Sequence, residues 1–106
     1  MLRVQHLVRQ LIPLLVPVLA AIRRHDRDLE NQLRRALTSV PLNIGEGFGL
    51  ADGNKRLRYL TALGSHNELV VGLDVAVAFG YIAPLQPHVG KLLEDIAKML
   101  AGLTRR

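Results

Sequence analysis

The sequence predicts an all-α protein, an antiparallel up-down-up-down four-helix bundle. Three observations predict it. Apolar residues return at steps of three and four in four successive segments, and no stretch alternates with period two. The connections between segments are short, which favours antiparallel neighbours. The chain has 106 residues, 49% apolar and 22% charged, so residues 1–106 suit one domain around a single core.

The first segment covers the start of the chain. Residues 11–22, LIPLLVPVLAAI, hold no charge and are followed directly by Arg23 and Arg24. A secretory leader would have such an apolar stretch, but two prolines interrupt this one and arginines close it. It is too short to span a bilayer, which needs about 20 apolar residues. The expectation is a buried first helix with no membrane role. Pro13 and Pro17 each remove a hydrogen bond and crowd the preceding turn. The helix is therefore expected to kink near Pro13 or to begin there.

The second segment runs from Asp26 to Phe48, with Leu29, Leu33, Leu37, Val40, Ile44 and Phe48 on one face. Asp26 is the expected N-cap, with Asp28 and Glu30 where the helix dipole favours acids. Pro41 falls in phase with the stripe, so a bend is expected rather than a stop. Gly45, Gly47 and Gly49 end the helix, and Gly49 to Asn54 reads as a turn. The third segment runs from Asn54 to Phe79 on a stripe of Leu57, Leu60, Leu63, Val70, Leu73 and Val77. Its later half is apolar nearly all round, which implies burial on two sides, one of them against another subunit or the bundle. Gly80 is the expected stop, and Pro84 fits the first turn of the next helix. The fourth segment, Pro84 to Leu103, carries Val89, Leu92, Leu93, Ile96, Leu100 and Leu103, with Glu94 and Lys98 as an i,i+4 pair.

Composition removes several classes of function. Cysteine is absent, which excludes disulfides, thiolate metal sites and cysteine nucleophiles and fits a reducing, cytoplasmic setting. Two Phe, two Tyr and no Trp argue against a platform for stacking bases. His6, His25, His66 and His88 are scattered, without the Glu-x-x-His spacing of a helical metal bundle, so no metal or other cofactor is expected. The stretch Gly45-Glu-Gly-Phe-Gly49 follows a helix and lacks the ending of a phosphate loop. Ser39 and Ser65 have no His at motif spacing. No catalytic residue is assigned, and an enzyme is not expected.

What remains is charge and one polar stripe. The net charge is +5, and residues 1–60 hold ten Lys and Arg against five Asp and Glu. The surplus lies at Arg23, Arg24, Arg27, Arg34, Arg35, Lys55, Arg56 and Arg58. Such a face suits an acidic partner, nucleic acid first and an anionic membrane second. The candidate nucleic-acid-binding set is Arg24, Arg27, Arg34, Arg35, Lys55, Arg56 and Arg58. Arg27, Asn31 and Arg34 share a helical face, while the starts of the second and third helices fall at opposite ends of an up-down bundle. Ser39, Asn43 and Glu46 follow one another at four and three residues, on a face that also carries Arg35. They form a candidate structural network, because buried polar groups must satisfy one another.

The same stretch carries a family signature. Gln32 to Ala36 (QLRRA) and Ser39 to Gly49 (SVPLNIGEGFG) resemble the four-helix-bundle proteins encoded in intervening sequences of bacterial 23S rRNA genes, whose segment reads approximately QLRRAaxSIPxNIAEGxGR. The resemblance continues at Arg58 to Leu60, Gly64 to Leu69, Phe79 to Ile82 and Lys98 to Leu103, and covers residues 29–103. That family is in turn similar to the accessory subunit of diversity-generating retroelements, a basic ring-forming bundle. The resemblance implies a four-helix bundle, a homo-oligomeric ring with a pentamer first, and an RNA partner. It does not imply an enzyme. The chain departs from the pattern at Gly45, where Ala is usual, and at Leu50, where a basic residue is usual. Its function is therefore expected to be RNA or nucleoprotein binding through the basic face. The competing expectation is a protein-docking adaptor that binds no nucleic acid.

Overall fold

A computed structural model of the chain describes residues 1–105. Four helices, α1 (Arg3–Arg23), α2 (Arg27–Phe48), α3 (Asp52–Ala78) and α4 (Pro87–Thr104), make an antiparallel bundle of 42 × 26 × 19 Å. Helix accounts for 84% of the described residues, far above the usual third. The described residues contain no strand. Each helix packs on the next, and α4 closes back onto α1, so the four stand in a ring around one core.

α1 is unbroken from Arg3, so it does not begin near Pro13. Val4, Val8, Leu11, Leu15, Leu19 and Ile22 form its buried stripe. Each such side chain contributes roughly 1.5–3 kcal/mol when buried, enough together to outweigh the hydrogen bonds lost at the two prolines. By length and composition α1 could cross a bilayer, with a mean hydropathy of 1.5 over its best 18 residues. Here that stripe faces α2 and α4 instead.

α2 also runs through its proline. Asp26 caps it, its Oδ1 accepting from the Leu29 amide at 2.9 Å. Gly45 and Gly47 stay within the helix, and Gly49 is its C-cap. The connection that follows is only Gly49 to Ala51. α3 begins at Asp52 rather than after a turn reaching Asn54. At its far end Gly80 takes φ +77°, the left-handed conformation that stops the helix. Pro84 lies in the α3–α4 connection, and Pro87 is the proline in the first turn of α4. α4 thus starts one proline later than the sequence predicts.

The stripe predicted for α3 is corrected as well. Tyr59, Ala62, His66, Leu69, Gly72, Leu73 and Ala76 are buried, whereas Leu57 and Leu60 are exposed. Apolar residues occupy two faces of α3, and the predicted stripe drifts between them, from the outer face at Leu57 and Leu60 to the core at Leu63, Val70 and Leu73. On α2, Phe48 is likewise exposed. On α4 the i,i+4 ion pair that closes is Lys91–Asp95, at 2.9 Å, rather than Glu94–Lys98.

Candidate nucleic-acid interface

Two glycines bring α2 and α3 close. A Cβ on Gly72 would overlap Leu33, and one on Gly47 would lie 2.8 Å from Tyr59 Cε1. Each glycine is a socket for a side chain from the other helix. Between the sockets, polar side chains meet along the seam. Ser39 Oγ and Ser65 Oγ are 2.7 Å apart. Asn43 Nδ2 donates to the Ser39 carbonyl at 2.9 Å and to Ser39 Oγ at 3.0 Å. Arg58 donates to Asn43 Oδ1 at 3.4 Å and pairs with Glu46 at 3.1 Å. Ser39 and Asn43 are half-buried, while Glu46 and Arg58 are exposed. The inner contacts are those that fix register. The outer ion pair is worth about 0–1 kcal/mol.

Arg35 makes no hydrogen bond or ion pair among the described residues, yet it borders the same surface. Arg34, Arg35 and Arg58 line one shallow groove with Ser39, Leu42 and Asn43. Two helices thus bring three guanidinium groups to one groove. Guanidinium forks can hold phosphate oxygens bidentately.

The seven candidate basic residues do not form a single patch. Arg24 and Arg27 are exposed at the end where α1 turns into α2. Lys55 and Arg56 lie at the other end, where Arg56 Nε donates to the Thr104 carbonyl at 2.7 Å and so satisfies the C-terminus of α4. Arg58 parts from those two residues and joins Arg34 and Arg35.

Glu30 was read only as a first-turn acid, but it organises much of this charge. It is 2% exposed. It pairs with Arg34 at 2.7 Å and with Arg23 at 3.2 Å. The Arg34 hydrogen bond holds its carboxyl below the usual carboxylate range, against the opposing effect of burial, and Arg23 adds to the lowering. The i,i+4 spacing of Glu30 and Arg34 was a legible signal. The reach of Arg23 across the α1–α2 turn was not. His66 was also missed. It is fully buried, and its Nε2–H donates to the Leu93 carbonyl at 2.8 Å, tying α3 to α4. Its Nδ1 has no partner. Burial pushes the imidazole pKa down, against the raising effect of the Leu93 bond.

Among the described residues no three His, Asp or Glu side chains gather as metal ligands would. The arrangement places basic groups and hydrogen-bond donors at a surface, beside the Glu46 carboxylate, where they can hold an anion. A family model described as 23S rRNA-intervening sequence protein matches residues 4–102. Comparisons with curated proteins and with solved structures gave no match.

Proposed function

Because the chain belongs to the 23S rRNA-intervening sequence protein family, we propose that it is a non-enzymatic, cytoplasmic, homo-oligomeric bundle that binds structured RNA through a basic surface. The observation that carries this reading is the groove where Arg34, Arg35 and Arg58 converge. The net charge of +5 supports it. Each subunit offers few guanidinium groups, so the contact is weak alone. A ring of subunits, a pentamer first, repeats it and gains by avidity.

Binding of this kind is driven by release of counterions from phosphate and falls steeply with salt. The test is titration of a structured RNA at two salt concentrations. Arg35→Glu is the informative variant, because Arg35 holds no structural contact among the described residues. Affinity should drop, and the salt dependence should flatten by about one phosphate contact per subunit engaged. Undetectable binding at low salt would reject nucleic acid as the partner.

One observation favours the second reading, a protein-docking adaptor. Two of the three groove arginines already face carboxylates, Arg34 with Glu30 and Arg58 with Glu46. Their charge is then partly spent inside the fold. An adaptor would bind a protein partner with the same surface and show no salt-dependent affinity for RNA.

A further inference from the structure

The chain has few aromatic rings, but the fold gathers three rings at one end. Tyr81, in the α3–α4 connection, stacks with His25 at 5.2 Å between centroids and 7° between planes. It stacks also with Phe79, at 5.3 Å and 14°. The Tyr81 hydroxyl donates to Asp26 Oδ2 at 3.4 Å, which fixes the central ring against the start of α2. Phe79 is 68% exposed, and His25 is exposed as well. The outer rings of a near-parallel stack are thus open to solvent. Arg24 precedes His25 and Arg27 lies two residues after it; both are exposed and have no ion pair among the described residues.

We propose that this stack is a binding site for an unpaired nucleobase, which continues the ring series on Phe79 while Arg24 and Arg27, at the His25 end of the stack, take phosphates further along the strand. The site deepens the RNA reading and rests on it. Two features argue for a base rather than an apolar side chain. Flat rings held parallel in advance match a flat π-face and lose little freedom on binding. Two unpaired arginines beside them suit a phosphodiester better than an apolar partner. The groove at Arg35 reads the backbone of a helix. The stack reads a base that is not paired, as a loop or bulge supplies.

The experiment compares two RNAs of equal length in the full-length protein, one a hairpin with a single-stranded loop and the other a blunt duplex. A 2-aminopurine placed in the loop reports stacking by its quenching. The parent should bind the hairpin about tenfold more tightly than the duplex and quench the probe. Phe79→Leu should lose the preference and the quenching while keeping its affinity for the duplex. Phe79→Tyr should keep both. Equal affinity of the parent for hairpin and duplex would overturn the stacking site and leave the RNA reading standing. Absence of binding to either RNA would overturn both. Light scattering on Phe79→Leu supplies the remaining control. A fall in oligomer mass would assign Phe79 to a subunit contact and reject its role toward a base.

Discussion

His66 sets a pH limit on the bundle. The imidazole is enclosed between α3 and α4 with one ring nitrogen bonded and the other orphaned. Protonation would place a charge in the core, so the folded state holds it neutral and its pKa is lowered. The unfolded chain titrates near the ordinary value of about 6.5. Below that pH the unfolded state binds more protons than the folded one. Stability is therefore complete above about pH 6.5 and falls as the pH drops through it toward the lowered folded value. Thermal melts from pH 8 to pH 5 should show this decline, and His66→Gln, which keeps a donor but does not titrate, should flatten it. An unchanged slope in the variant would contradict the assignment. Asn43 makes a second case. Its amide joins Ser39 and Arg58 across the seam, so Asn43→Ala should cost about 1 kcal/mol by removing its hydrogen bonds to half-buried Ser39. Chemical denaturation measures it.

At the scale of elements, α3 decides how the bundle meets its surroundings. Its inner face holds Ala62, Leu69 and Leu73, while Leu57, Leu60, Val71 and Val75 are exposed along its outer face. Soluble proteins rarely leave such a row uncovered, and the oligomer proposed above would cover it if it forms through α3. Val71→Glu and Val75→Glu change exposed positions, so the melting temperature should stay within a few degrees. The mass by light scattering should fall. Unchanged mass would place the contact elsewhere. The same helix shows how far sequence could be read. α2 and α4 each have one apolar stripe, and periodicity located both, whereas α1 was legible only as an apolar run and its stripe, which begins at Val4, was not. In α3 apolar residues lie on two faces, and the predicted stripe crosses from the outer, at Leu57 and Leu60, to the inner, at Leu73. The inner stripe runs through Tyr59 and His66, polar-tipped residues whose burial depends on partners from other helices. Helix ends went astray for a related reason. Pro84 and Pro87 are both competent to open a helix, and only packing of the connection, through Tyr81, Ile82 and Leu85 against the core, selects the second. The candidate site was legible as residue types and not as groupings, because Arg58 joins Arg34 and Arg35 only through the pairing of α2 with α3.

Across the whole molecule, the seven candidate basic residues are spread over three regions and no single face collects them. The α1–α2 end carries Arg24 and Arg27, the groove carries Arg34, Arg35 and Arg58, and the opposite end carries Lys55 and Arg56. This distribution is why repetition in an oligomer matters more to the proposed RNA contact than any one residue. The glycine sockets of the α2–α3 seam have a further consequence, in the order of events as the chain folds. Three of the four interfaces join helices that follow one another in sequence, and only α1 against α4 closes the ring from a distance. Loop closure between neighbours costs little entropy, so such chains fold fast. The α2–α3 hairpin, locked by Leu33 over Gly72 and Tyr59 over Gly47, is the expected nucleus. Gly72→Ala should destabilise the fold by about 1–3 kcal/mol through overpacking. In stopped-flow kinetics most of that loss should appear as slower folding. A variant of the ring closure, such as Leu15→Ala on α1, should instead speed unfolding. The reverse partition would mean that the ring closes before the hairpin locks.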